Sequence, residues 1–256
     1  MKDMADPPQV SLTCGIAPDG GTAILSRHVQ WPWSLPRGYR RAGLNGPLTV
    51  LPQCAGAALL PGDLWRHAVT VQVGASVDLV SAGALMIHAD HKQGREGRAD
   101  WDLVAAPGAT LRHMPDPNVL MPGARMRQRI ALTFAPGARA VLFDGFCRQS
   151  SAPDAGGWWQ SDLIVSHPSG AVILRERQHA TEADLIALAA LPGGAGAFGT
   201  VLVLGDAPFP DGALDLPGCY AAVGAARGGA GQILRIAART GGALDRAFRS
   251  IRAQLS

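Results

Sequence analysis

Three histidines form the densest group of metal-ligand side chains in the sequence. His88 and His91 flank Asp90 on one short segment, and His113 follows on a later apolar segment. Imidazoles and carboxylates bind divalent cations, and a bound cation can activate water for hydrolysis. The spacing matches no diagnostic ligand pattern, and the sequence has no HExxH, P-loop, GxSxG or SxxK motif. A small metal-dependent hydrolase is therefore one hypothesis, but the spacing favours an exposed polar loop.

A glycine-rich stretch contains the GxGxxG spacing at Gly194, Gly196 and Gly199. A dinucleotide-binding fingerprint requires a strand before the glycines and a helix after them, so that the pyrophosphate meets the helix N-terminus. Here a predicted helix precedes the glycines and a predicted strand follows them. The order of elements indicates a flexible connection and no nucleotide site.

Four charged residues lie at the edge or in the middle of apolar segments, namely Asp63, Arg125, Asp144 and Glu176. Burying a charge costs several kcal/mol unless the group is paired, hydrogen-bonded or facing water. We expect these four to form a polar interior or an interface, with Asp144 paired to an arginine such as Arg125 or Arg175. An ion pair with a purely structural role is the alternative.

Composition excludes several classes of protein. In 256 residues, hydrophobic residues make up 47% and charged residues only 17%, so the chain is not disordered. The 32 glycines and 19 prolines are scattered, which predicts many turns and no collagen-like repeat. A net charge of +3, with two tyrosines and six phenylalanines, argues against a nucleic-acid partner.

Cysteine usage and the N-terminus predict a cytoplasmic protein. Cys14, Cys54, Cys147 and Cys219 are far apart and are expected to be reduced and mostly buried. Residues 1–10 are polar, which predicts no signal peptide. The longest stretch of low charge is interrupted by proline and glycines, which predicts no membrane span.

Period-two alternation indicates strands along much of the chain. Val69, Val71 and Val73 share one face of a strand, which is followed by a Gly-Ala turn at Gly74 and a second strand. The same unit returns around Gly108 and Gly137. This irregular repeat predicts a mainly β fold, built as a layered, β-helix-like stack of strands, with a closed barrel as the alternative.

Two helices are predicted, at 181–191 and 243–255. Thr181 has the form of an N-cap followed by acidic first-turn residues, and Leu244, Phe248 and Ile251 fall on one helical face. Strands are expected at 200–204 and 232–236. The polar run 88–100 is expected to be an exposed loop or hairpin tip. The chain is predicted to form one domain over 1–256, with a poorly ordered segment at 1–20.

Six segments together resemble the UreD-type urease accessory proteins, called UreH in some bacteria, in the variant typical of alphaproteobacteria. The match at 114–125, MPDPNVLMPGAR, is close to the family's LPDPxILFPGAR and is the most specific. The other segments occur in the family's order: HVQWPWSLP at 28–36, LPGDL at 60–64, SAGALMIH at 81–88, FDGF at 143–146 and RER at 175–177.

The resemblance implies a non-enzymatic, mainly β scaffold for urease maturation. Such proteins bind UreF and the GTPase UreG and dock on the apo-urease subunits UreABC for insertion of nickel. No catalytic residues, tightly bound cofactor, nucleic acid or membrane are implied, and nickel would pass in transit through weak ligands.

The matched segments, the charges in apolar surroundings and the histidine group together give the candidate residues for these roles. The weak transit candidates are Asp63, His88, His91, Asp144 and Glu176. The structural or interface candidates are Asp63, Pro115, Asp116, Pro117, Gly123, Arg125, Asp144 and Glu176.

Two further hypotheses stay open at this point. Tight, stoichiometric metal with hydrolytic turnover would favour the hydrolase built on His88, His91 and His113. A β-rich binding module unrelated to urease would be favoured if no urease subunits were encoded nearby.

Overall fold

The regular structure is mainly β-strand, as the alternation predicts. The computed structural model describes residues 7–56, 58–149 and 153–255. Within these ranges it contains two α-helices, α1 (Glu182–Ala190) and α2 (Gly241–Gln254), and a 3-10 helix at Arg227–Gly229.

The first ten strands are β1 (Val10–Ile16), β2 (Thr22–Val29), β3 (Trp33–Ser34), β4 (Leu48–Val50), β5 (Gln53–Cys54), β6 (Ala58–Leu59), β7 (Leu64–Val71), β8 (Ser76–Val80), β9 (Met86–Ile87) and β10 (Gly97–Ala105). The next ten are β11 (Thr110–Met114), β12 (Asn118–Leu120), β13 (Arg125–Phe134), β14 (Arg139–Arg148), β15 (Trp158–Ser166), β16 (Val172–Thr181), β17 (Ala197–Leu204), β18 (Gly212–Ala213), β19 (Cys219–Ala225) and β20 (Gly231–Ala238).

Two large sheets pack face to face, and the largest cluster of buried apolar side chains in the described residues draws on both. The first sheet has the strand order β16-β15-β13-β10-β7-β1-β2, and the main path of the second is β18-β19-β20-β17-β14-β11-β8-β4. Strands β7, β10, β13 and β15 pair in parallel in the first sheet, as do β4, β8, β11 and β14 in the second. The chain thus alternates between the sheets, which confirms the β-helix-like stack and not the closed barrel.

The three Gly-Ala turns carry the chain from one sheet to the other. Gly74, Gly108 and Gly137 have φ of +71°, +69° and +74°, a left-handed conformation that glycine adopts without a steric penalty. The turns lie on top of one another, and the Gly74 N–H donates to the Pro107 carbonyl at 3.4 Å. Each turn therefore ends one layer and positions the next.

Both helices are capped as expected. Thr181 and Asp184 form a capping box at the start of α1. Thr240 caps α2, which begins at Gly241 and not at 243 because this cap lies three residues before the apolar pattern starts. The Phe248 ring packs against the second sheet over Gly145, where an added Cβ would lie 2.7 Å from its Cζ.

Two sequence expectations are wrong in part. Within 1–20, residues 10–16 form β1, whose Val10, Leu12 and Cys14 are buried between β2 and β7, while residues 1–6 lie outside the described ranges. Within 88–100, β10 begins at Gly97 because Ala99 faces the core and its neighbours face outward.

The cysteines and the glycine-rich stretch agree with their predictions. All four cysteines are free; Cys14 and Cys147 are buried, and Cys54 and Cys219 are half-buried. The GxGxxG glycines lie between α1 and β17, a helix followed by a strand. No helix in the described part of the chain has the length and apolar character needed to cross a membrane.

Candidate functional site

A cavity of about 510 Å³ lies between the two sheets. Trp65 and Trp101 of the first sheet and Trp33 beside it form much of its apolar wall. Its polar lining comes from residues of several strands and loops: Ser81, His113, Asp116, Asn118, Gln128 and Asp144. Cavities of this size that combine aromatic walls with a few polar groups are typical binding sites.

A row of polar side chains leads away from this cavity on each sheet. On the first sheet Gln128, Ser161 and Gln178 lie side by side on β13, β15 and β16. On the second sheet Asp144 and Thr200 are register partners on β14 and β17. Together with Arg235 of β20, which pairs with Thr200, and Glu176 of β16, these residues are called the polar row below.

Hydrogen bonds within and across the two sheets link members of the polar row into two groups. The Gln128 amide donates to Asp144 Oδ1 at 2.9 Å and to Ser161 Oγ at 3.2 Å. The Gln178 amide donates to Thr200 Oγ1 at 3.0 Å. The row therefore places hydrogen-bonded polar side chains on the facing surfaces of the two sheets.

The outer end of the polar row lies at the protein surface. Arg235 Nη2 forms an ion pair with Glu176 Oε1 at 2.6 Å. Gln178, Thr200 and Arg235 line a surface groove of about 390 Å³. Asp144 lines the cavity and its register partner Thr200 lines the groove, so the polar row extends from the lining of one space to the lining of the other.

Asp144 is the charged centre of the row. Its side chain is only 3% exposed, and Oδ2 has no hydrogen-bond partner among the described residues. Burial raises the pKa of Asp144 to about 6; the charge of Glu176 adds to the rise, and the polar groups of Ser161 and Gln128 limit it. A carboxylate in this position gains from any cation that reaches it.

Two buried histidines lie close to the same cavity. The rings of His67 and Trp101 are stacked with centroids 4.0 Å apart, and the His113 ring follows at 4.5 Å from Trp101. Burial lowers the pKa of both histidines to about 3, and the proximity of His113 lowers that of His67 further. Both are therefore neutral near pH 7, and His113 Nδ1 has no hydrogen-bond partner among the described residues.

Of the five predicted transit candidates, the structure places Asp144 and Glu176 in the polar row. Asp63 instead stabilises the turn before β7, where its carboxylate accepts the Leu60 N–H at 3.0 Å. His88 and His91 are exposed on the loop between β9 and β10. Within the described residues, none of these three side chains contacts the polar row.

The segment between β11 and β12 is held by the C-terminal helix. Arg252 of α2 donates to the Pro115 carbonyl at 2.7 Å and to Asp116 Oδ1 at 2.9 Å. The Asp116 N–H donates to Ser81 Oγ at 2.8 Å, and Pro117 is buried. These contacts fix one rim of the cavity.

Gly123 and Arg125 belong to a structural region at the start of β13. The Gly123 N–H donates to Glu182 Oε2 at 3.0 Å, and Glu182 forms a buried ion pair with Arg148 at 2.9 Å. Arg125 donates to the Gly94 carbonyl at 2.9 Å. These contacts join α1, β13 and β14.

One expectation about side-chain partners is wrong, and the alternative that groups three histidines is not formed. Asp144 is bonded by Gln128 and not by an arginine, because Arg125 is held by Gly94 and Arg175 lies 3.7 Å from Asp162. His113 is buried between the sheets while His88 and His91 are exposed. The described residues contain no group of three or more His, Cys, Asp or Glu side chains that could hold a metal.

Sequence reasoning missed most of the neutral members of the polar row. Gln128 follows Met126 and precedes Ile130 on the inward-facing positions of β13. Ser161 takes the same kind of position between Trp159 and Leu163 on β15. A polar residue on the buried side of an alternating strand was the available signal.

Comparisons with known proteins give one consistent family. A family described as UreD urease accessory protein matches residues 9–256. Urease accessory protein UreD 1 of Methylorubrum populi is 30% identical over 255 residues, which cover 95% of this chain and 86% of that protein. Urease accessory protein UreD of Mycolicibacterium smegmatis is 30% identical over 238 residues, which cover 91% of this chain and 85% of that protein.

Proposed function

The chain belongs to the UreD family of urease accessory proteins, and from this premise we propose that it is a non-enzymatic scaffold for urease maturation. In this proposal it assembles with UreF and the GTPase UreG on apo-urease, and it offers nickel an interior path. The observation that carries the proposal is the polar row that extends from the lining of the internal cavity to the lining of the surface groove.

The polar row has the chemistry that a passing divalent cation needs. A buried carboxylate is poorly solvated, so a cation at Asp144 would stabilise the ionised form that burial disfavours. Amide and hydroxyl oxygens of Gln128, Ser161 and Thr200 offer further weak ligands along the row. One carboxylate with neutral oxygen neighbours holds nickel loosely, which suits transfer and not storage.

The ends of the row suit a protein that works between partners. The Glu176–Arg235 ion pair lies at the surface end, beside the exposed Tyr220. A partner that covers this groove would compete for Arg235 and leave the Glu176 carboxylate for the cation. Tyrosine and arginine are residue types enriched at protein interfaces.

The experiment uses a host that carries the urease genes but lacks the gene for this chain. Restoring the gene should restore urease activity, and the tagged chain should co-purify with UreF and apo-urease in fixed stoichiometry. The purified chain alone should show no hydrolytic turnover with or without added nickel or zinc. Full urease activity without the gene, or turnover by the isolated chain with stoichiometric metal, would contradict the proposal.

A further inference from the structure

The outermost strand of the first sheet, β2, has a free edge. Within the part of the chain that the structure describes, it pairs with β1 alone, so half of its backbone N–H and C=O groups point away from the sheet. The register with β1 shifts at Leu25, which divides the strand into two parts. An unpaired strand edge is a template for an added strand.

The two parts of the β2 edge differ. In the first part, Arg40 donates twice to the Thr22 carbonyl, at 2.6 and 3.0 Å, and so occupies the place of a neighbouring strand. In the second part, Ser26, Arg27 and His28 are exposed. The region that can accept a strand is therefore residues 26–29.

Exposed apolar side chains lie beside this edge. Trp31 follows β2 by two residues and is 84% exposed, and Leu25 is 51% exposed. A surface tryptophan of this kind is a large apolar area left in water, and tryptophan is the residue type most enriched among interface hot spots. Tyr39 and Leu44 are also exposed and line the groove that runs along β2.

The groove along β2 is basic. It measures about 890 Å³, and the charged residues that line it are Arg27, Arg37 and Arg40. Among the described residues, the ion pair recorded for these arginines joins Arg40 Nη1 to Asp19 at 3.8 Å, which leaves Arg27 and Arg37 to set the sign of the exposed region. The positive charge selects a partner segment that is acidic.

We infer that the β2 edge docks an extended, acidic segment of a partner protein, which adds as a strand along residues 26–29. Backbone hydrogen bonds to the free edge would supply affinity. Arg27 and Arg37 would pair with carboxylates of the added strand, and Trp31 would cover an apolar side chain. The inference concerns an outer edge of the fold, so it does not depend on nickel passing through the interior.

The test uses the full chain and two ten-residue peptides, one alternating Glu and Val and the other alternating Lys and Val. Binding is followed by fluorescence anisotropy, and amide hydrogen exchange is measured by NMR. The acidic peptide should bind and slow exchange at residues 26–29, whereas the basic peptide should not. Arg27→Glu combined with Arg37→Glu should weaken binding about tenfold, since two exposed ion pairs are lost and like charges face each other in their place.

Matched variants separate this surface from general charge and aromatic effects. Trp31→Ala should weaken binding of the acidic peptide, while Tyr220→Ala and Arg239→Glu, which alter exposed residues elsewhere, should not. Equal binding of both peptides, protection outside residues 26–29, or no protection at millimolar peptide would overturn the inference. Protection that rises with protein concentration without peptide would also overturn it, because the occupant would be a second copy of the chain. None of these outcomes involves urease or nickel, so they leave the proposed function standing.

Discussion

Replacing Asp144 with asparagine should change how the stability of the protein depends on pH. Burial raises the pKa of this carboxyl from 3.8 to about 6, so the folded protein holds its proton more tightly than the unfolded chain does. Stability from this group is therefore fully present below about pH 4 and is lost as the pH rises to about 6. The shift corresponds to about 3 kcal/mol at neutral pH.

The assay compares urea unfolding of the wild type and Asp144→Asn by tryptophan fluorescence. Between pH 4.5 and 7.5 the wild type should lose about 2 kcal/mol of unfolding free energy relative to the variant. The reason is that residue 144 carries an ionisable carboxyl only in the wild type. Asp102→Asn, which changes a carboxylate that is 61% exposed, controls for the general effect of removing a charge. All other titrating groups are shared, so their contributions cancel in the comparison.

A second measurement links the same carboxylate to cations. Millimolar nickel at pH 7.5 should raise the unfolding free energy of the untagged wild type more than that of Asp144→Asn, since the buried charge is then compensated. The wild type and Asp144→Asn could instead differ by the same unfolding free energy at pH 4.5 and 7.5, with equal stabilisation of both by nickel. That result would show that Asp144 is not a buried carboxylate that lacks a compensating charge.

Three further substitutions test the surrounding architecture by urea unfolding. Glu182→Gln should cost about 3–5 kcal/mol, because it leaves the buried charge of Arg148 without its carboxylate; a cost below 1 kcal/mol would contradict this. Gly145→Ala should cost about 1–3 kcal/mol, since the new Cβ would lie 2.7 Å from Phe248 Cζ, and the double variant with Phe248→Leu should recover part of the loss. Thr181→Ala should cost about 1 kcal/mol through loss of the α1 cap, and Thr181→Ser should restore most of it.

Local patterns predicted much of the fold. The alternation of Val69, Val71 and Val73 predicted β7, although the strand ends at Val71 and Val73 is exposed, and the glycines at 74, 108 and 137 predicted the turns between layers. These features can be predicted from the sequence because residues close together in the chain set the backbone conformation and the period of burial. The strand at 10–16 has the same alternation, but the polar and proline-containing residues before it led to the expectation of disorder.

The polar row could be predicted only in part. Asp144 stands out in its own segment because a carboxylate interrupts an apolar strand. Its actual partner, Gln128, lies on the facing sheet, and the pairing depends on how two sheets are stacked and not on any local pattern. Similarly, His113 lies on β11 of the second sheet, whereas His88 and His91 lie on the loop before β10 of the first sheet. The spacing of the histidines in the sequence does not show that the chain passes from one sheet to the other between them.

The most direct test of the central claim measures nickel in urease matured by variants of the polar row. The experiment combines apo-urease, UreF, UreG and this chain with limiting nickel. The nickel content of the urease is then determined by mass spectrometry. Parallel reactions replace the wild-type chain with Asp144→Asn, Glu176→Gln or the control Asp102→Asn. We expect all variants to assemble normally. Urease matured with Asp144→Asn or Glu176→Gln should contain several-fold less nickel, and excess nickel should restore its nickel content. Full loading at limiting nickel by assembled, well-folded Asp144→Asn and Glu176→Gln would contradict the claim that nickel passes along the polar row.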